Sequence, residues 1–374
     1  MPAMLRFLCL AAALVIGGDV RPPLRVIVGG QHPGAVDALP LHVGGRVDRS
    51  GDGFRHQWPG IYVEAAFRGS AATLRFDDPI NEWRLSVDGS PAVTIDRPGR
   101  SDVTIDNLAP GDHRLRIDKM TESTAPARFL GAFVAKGQTL PAPPPRQRQI
   151  EFIGDSSMTG YGARADHVDC TQAEVRTTTD TPDAFAALAA QHENADYQIN
   201  AVSGRGLIRN FDGTAPDGTM AKLWPRRLPV EPAPYQDLAW QPQIVVLKLQ
   251  ADFVGFRPDA RWPTLEALVA DYAASYGRFL VQLHARYPRA VFILWWFDTS
   301  GAPPEQAAML RNAETRISDA ARTAGVRDLL FLPFPATESR GTACHGHYGL
   351  EAQRQIADWL VHAIDAHPGF WDGR

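Results

Sequence analysis

The strongest chemical signal in the chain is the run IEFIGDSSMTGYG, residues 150–162. An unbroken apolar stretch ends at Gly154-Asp155-Ser156, and small residues with a glycine-rich turn follow. A continuous apolar run is the pattern of a strand buried on both faces of a parallel sheet. A serine at the carboxyl end of such a strand stands where open α/β sheets place their ligands. Its hydroxyl is then available for attack on an acyl carbon. Its own N–H is available to the oxyanion that develops, and nearby glycine lets substrate approach the backbone. The same residue would also serve to cap the segment that follows, so chemistry alone leaves nucleophile and cap both open for Ser156.

Other chemistries have less footing. His345 and His347 are too few for a metal site by themselves, and no other His, Asp or Glu cluster has ligand spacing. The segments GQHPG and GGRV lack the strand-and-helix setting of a phosphate-cradling loop. The sequence therefore predicts neither a metal nor another cofactor. A net charge of -4 with no long basic run argues against nucleic acid as a partner. No apolar stretch reaches the roughly 18 to 20 residues of a membrane span.

The elements that must position Ser156 divide the chain. At roughly 150 residues per domain, 374 residues suggest two domains. Residues 1–20 place Arg6 before the apolar run Phe7–Ile16, with Gly17 and Gly18 after it. This is the form of a secretory signal peptide, against the alternative of a buried first strand or helix, and it predicts a secreted or periplasmic protein. Its removal takes Cys9 away. Cys170 and Cys344 then remain as an even pair in an oxidising compartment, which predicts a bridge between them worth roughly 5 kcal/mol in chain entropy.

Residues 25–138 read as a β-sandwich: GIYVEAAFRG, AATLRFDD, EWRLSVDGS, DVTIDNL and HRLRIDKM alternate apolar and polar residues between turn residues. A proline-rich linker follows at 139–149. From 150 to 370 apolar runs at 150–155, 243–249, 290–296 and 328–334 alternate with helical periods at 182–192, 264–286, 304–324 and 349–364. That rhythm predicts a three-layer α/β domain with a parallel sheet.

The GDSSMTGYG run resembles the first block of the SGNH, or GDSL-type, hydrolases. The resemblance extends to WPG (58–60), GDHRLRIDKMTE (111–122), FLGAF (129–133), NAVSGRGLIRNFDG (200–213), LWPRRL (223–228) and WQPQIVVL (240–247). These motifs occur together, in this order, in the family-two carbohydrate esterases, which the chain resembles over about 25–370. The resemblance implies a jelly-roll sandwich joined to an SGNH domain, and removal of O-acetyl groups from plant-type carbohydrate. It further implies that Ser156 is the nucleophile and that the Gly204 amide helps hold the oxyanion. The block CHGHYGLEAQRQIADWL (344–360) implies that His347 is the base, with His345 as its rival or as an orienting neighbour. An imidazole suits the task because its pKa lies near 6.5.

Two positions depart from the family pattern. Many relatives carry Asp where His345 stands, although some are held to work with a Ser–His dyad oriented by a backbone carbonyl. The third block, usually G-x-N-D-F, reads Leu249-Gln250-Ala251-Asp252-Phe253, so a methyl replaces an oxyanion donor worth about 2.7 to 4 kcal/mol. The expectation is a weakened esterase, with a non-catalytic carbohydrate-binding relative as the alternative. Trp295 and Trp296 end a buried strand near the expected site and are candidates to stack on sugar, though at least one of the two must be core. Phe211, Arg209 and Asn210 are further candidates for substrate contact, the latter two also for fixing the second-block loop.

Overall fold

In a computed structural model the described residues are 25–29, 36–326, 328–333 and 341–372. The expected signal segment, with Cys9, lies outside them. No helix among the described residues is long and apolar enough to cross a membrane.

The alternating segments form two antiparallel sheets face to face. One runs in the order Arg25–Val28, Gly99–Asp106, Ala72–Asp78, Ala127–Ala135, Phe54–His56 and Val47–Asp48, with Val36–Ala38 also pairing Ala127–Ala135. The other runs Leu41–Gly44, Tyr62–Arg68, Asp112–Lys119, Glu82–Val87 and Val93–Asp96. Alternation puts every second side chain inward, so Leu74, Phe76, Trp83, Leu85, Ile117 and Phe129 fill the space between the sheets. This is the β-sandwich predicted from the sequence.

The second half holds a five-stranded parallel sheet in the order Ala195–Ala201, Arg148–Gly154, Ile244–Lys248, Val291–Trp296 and Leu329–Pro333. Helices Phe185–His192 and Leu350–Asp365 contribute to the core on one face. Leu265–Arg286 and Pro304–Thr323 contribute to the core on the other. The strand order is 2-1-3-4-5, so the chain reverses direction across the sheet on either side of the first strand. A crevice opens at the carboxyl end of the strands at such a switch point. Gly154 is in register with Ala201 on one neighbour and Lys248 on the other, so three strand ends finish level and their loops emerge side by side.

Strand Ala195–Ala201 was not among the apolar runs. Its sequence ADYQINA alternates, but every residue is buried, because the β-sandwich covers Asp196 and Gln198 and the neighbouring parallel strand pairs Asn200. Asp196 meets His42, Tyr62 and Arg146; Gln198 meets Arg46; Asn200 meets Glu151. The sandwich thus seals one edge of the parallel sheet, and Gly45 N–H adds a backbone bond to Tyr197 O at 3.1 Å.

Candidate active site

Ser156 begins a one-turn helix, Ser156–Thr159, directly after the first parallel strand. The Asp155 carboxylate caps that turn by accepting from Ser157 N–H at 3.0 Å. Gly160 ends it with φ +69°, where a Cβ would lie 2.3 Å from Asp180 O, so no other residue fits. The sequence alternatives for Ser156 are thereby separated: Asp155 performs the capping, and the Ser156 hydroxyl is turned to His347.

His347 Nε2 lies 2.7 Å from Ser156 Oγ, and His347 Nδ1 lies 2.8 Å from the Cys344 carbonyl oxygen. A carbonyl only accepts, so Nδ1 carries the proton and Nε2 presents its lone pair to the serine hydroxyl. The backbone therefore fixes the tautomer that a general base needs, at the position where a triad carboxylate would stand. Burial pushes the His347 imidazole below its ordinary pKa; Lys248 and His345 act in the same direction, while the bond to Cys344 O and the charge of Asp155 oppose it.

The His345 expectation needs correction: it does not bond His347. At φ +54° its ring turns aside, Nε2 donating to Cys170 O at 2.8 Å and Nδ1 accepting from Tyr161 Oη–H at 2.9 Å. Tyr161 in turn lies against His347, with ring centroids 4.4 Å apart. The Tyr161 ring thus stands between the His345 ring and the base. The Cys170–Cys344 disulfide is formed and closes the same loop.

The second-block loop follows strand Ala195–Ala201. Gly204 adopts φ +73°, open to glycine at little cost, and its N–H has no acceptor among the described residues. Asp252 fixes the loop from the third block by accepting from Leu207, Ile208 and Arg209 N–H at 2.7, 2.7 and 2.8 Å. Burial pushes that carboxyl up to about 6, against the pull of these three donors. Beside it Ala251 is buried and offers only a methyl group.

Four substrate-contact expectations are corrected. Trp295 and Trp296 are 3% and 1% exposed, so neither offers a face to a sugar. Trp295 packs on Phe185 and Trp359; Trp296 packs on Tyr276 and Phe331. Helices cover both faces of the sheet, so strand alternation buries both rings. Arg209 and Asn210 are buried too, with their side chains bonded to backbone. Arg209 reaches the carbonyls of Asp252, Val254 and Gly255, and Asn210 those of Thr214 and Ala215. Their loop-fixing alternative is the one realised. Phe211 differs: it is 51% exposed, and its N–H donates to Gly204 O at 2.8 Å.

Three features escaped sequence reasoning. The Lys248 ammonium sits 3.1 and 3.0 Å from the Asp155 oxygens beneath the nucleophile turn. A lysine closing an apolar strand was the available signal. Glu122 reaches across from the β-sandwich, accepting from Ser203 N–H at 2.9 Å and from the Ser203 hydroxyl, and meeting Thr159 Oγ1 at 3.3 Å. One carboxyl group thus ties the nucleophile turn to the loop that carries Gly204, and burial raises its pKa. The Cys344 carbonyl is backbone and carries no residue signature.

A parallel sheet of this order, with a serine at its switch point and a β-sandwich along its edge, defines an SGNH-type α/β hydrolase of two lobes. A family model described as "Carbohydrate esterase 2 N-terminal" matches residues 43–144. The chain is 38% identical over 342 residues to an acetylxylan esterase / glucomannan deacetylase of Cellvibrio japonicus (strain Ueda107), covering 89% of this chain and 92% of that one. A solved carbohydrate esterase, described as displaying divergent catalytic and non-catalytic binding functions at its active site, superposes with a TM-score of 0.80. It is 36% identical, over 90% of this chain and 100% of that one. A family two carbohydrate esterase from Clostridium thermocellum, solved with cellohexaose, superposes with a TM-score of 0.73 at 25% identity, over 88% and 99%. The chain belongs to the family-two carbohydrate esterases and is a carboxylic ester hydrolase.

Proposed function

We propose that the protein is a serine esterase that removes O-acetyl groups from a plant-type polysaccharide or oligosaccharide. The observation that carries this reading is the 2.7 Å approach of Ser156 Oγ to His347 Nε2, with Nδ1 tied to a carbonyl. In the reaction His347 takes the hydroxyl proton as Oγ bonds to the acetyl carbon. The Ser156 and Gly204 N–H groups receive the oxyanion. Collapse breaks the bond from the acetyl carbon to the sugar oxygen, which leaves with the proton from the imidazolium. Water then attacks the acetyl-serine, His347 takes its proton, and acetate departs as Ser156 is reprotonated.

Exposed Phe211 beside Gly204 offers a ring to a sugar face. Export fits the reading, because the Cys170–Cys344 bond persists in an oxidising compartment. Residues 25–138 and 150–370 serve as its two domains, with 139–149 between them. Ala251 favours slow turnover, and it supports a second reading in which the chain binds carbohydrate without turning it over. Turnover of an activated acetate ester by wild type against Ser156→Ala separates the two. The esterase reading expects a loss of at least about 10³-fold. Equal, near-background rates with polysaccharide binding retained would give the second reading instead.

A further inference from the structure

A groove of about 640 Å³ runs between the two lobes beside the Ser156–His347 pair. Its walls join the site at two points. Tyr161 lines it and also packs on His347, and Ser203 lines it immediately before Gly204. The sandwich contributes Gln57 and Thr121 to the lining; the α/β lobe contributes Gln172, Arg176 and Arg205. Ile80, Val175 and Leu223 give the groove apolar walls, and against them the few polar groups from both lobes can orient a hydroxylated ligand such as a sugar.

Its charges are unequal in their commitments. Glu122 is held by Ser203 and Thr159. Arg176 is paired with Glu82 at 2.8 Å and with Asp96 at 3.0 Å. Arg205 has no carboxylate within ion-pair distance among the described residues, and its Nε is shut away from solvent with no acceptor. A partly desolvated guanidinium without a counter-charge is costly, and folded proteins ordinarily supply a partner. Here the partner is left for something that enters the groove. The planar fork of the two terminal nitrogens, not the enclosed Nε, matches the two oxygens of a carboxylate that enters the groove.

We propose that Arg205 is the anion subsite of this groove, so that the preferred substrate is an acetylated polysaccharide carrying uronic acid substituents, whose carboxylate Arg205 grips. The proposal rests on the esterase reading for its substrate, but binding tests it separately. Ser156→Ala protein, which leaves oligosaccharide intact, is titrated calorimetrically with a glucuronic-acid-substituted xylo-oligosaccharide and with its unsubstituted counterpart. The substituted ligand binds about tenfold more tightly at low ionic strength, and the gap narrows as salt rises. Arg205→Gln in the same background abolishes the gap. Arg205→Lys, which keeps the charge but not the fork, retains part of it and controls for folding. In protein with Ser156 restored, Arg205→Gln lowers the ratio of kcat/KM on acetylated glucuronoxylan to that on acetylated glucomannan, chiefly through KM. Equal binding of the two oligosaccharides, or a preference that survives Arg205→Gln, overturns the subsite. Acetate-ester turnover without that preference removes the subsite alone. Preference without turnover keeps it and removes the esterase reading.

Discussion

The Cys344 carbonyl oxygen accepts from His347 Nδ1 at 2.8 Å, while the sulfur of the same residue is bonded to Cys170. One residue therefore orients the proposed base through its backbone and anchors the base's loop through its side chain. His345 adds a second tie between the same segments, from its ring to Cys170 O.

That arrangement makes the esterase sensitive to reduction at the level of chemistry as well as folding. Cys170→Ser or reduction by dithiothreitol releases Cys344, so its carbonyl no longer holds one imidazole tautomer. The expected outcome is a fall in kcat larger than any rise in KM, together with a stability loss of about 2 to 5 kcal/mol. Kinetics on an activated acetate ester and thermal melts of oxidised and reduced protein check both. A kcat unchanged in folded, reduced protein would show that the carbonyl holds its place without the bond.

The pH profile follows from the burial of His347. The base works neutral, and burial depresses its pKa, so the neutral form persists below the ordinary imidazole value of about 6.5. Activity is present above the depressed pKa and is lost as pH falls through it. The acid limb of kcat/KM should therefore bend below pH 6.5. A bend at or above that value contradicts the depressed pKa.

Restoring the missing donor is the sharpest test of the third block. Ala251 stands beside Asp252, whose carboxylate holds the N–H groups of 207–209 in the loop that carries Gly204. Ala251→Asn should raise kcat on an acetate ester by up to about 10²-fold, the contribution of one oxyanion donor. A flat response would mean that a side chain at 251 does not face the oxyanion.

What the sequence disclosed follows from what periodicity and side-chain type record. The alternating segments of the sandwich, four of the five parallel strands and the long helices were legible because burial imposes a period of two or of 3.6 residues. Strand Ala195–Ala201 was not, because its polar residues face a second lobe or a neighbouring strand rather than solvent, so its buried surface reads as exposed. The tryptophans at 295 and 296 misled for the related reason that strand position marks where a residue lies along the sheet and not what packs over it. Ser156 and His347, both singled out from their motifs, lie 2.7 Å apart. That a backbone carbonyl could orient the dyad was anticipated, but which one was not legible, because every residue has one.

The junction of the lobes is where the largest stability effect is expected. Arg46 from the sandwich is fully buried, with its guanidinium 3.0 Å from Glu151 of the first parallel strand and 4.1 Å above the Tyr235 ring. Glu151 also accepts from Asn200 Nδ2, Trp224 Nε1 and Trp240 Nε1 at 2.7, 2.6 and 3.1 Å. Arg46→Leu removes the cation and leaves that carboxylate buried without its counter-charge, which costs about 3 to 5 kcal/mol. Adding Glu151→Gln removes the stranded charge and keeps one amide oxygen to accept from Trp224 Nε1, although Trp240 Nε1 loses its acceptor, so the double variant should recover part of the loss. Urea unfolding of wild type, Arg46→Leu and the double variant measures this directly. A double variant no more stable than Arg46→Leu would place the cost in lost packing against Tyr235 rather than in the unpaired charge.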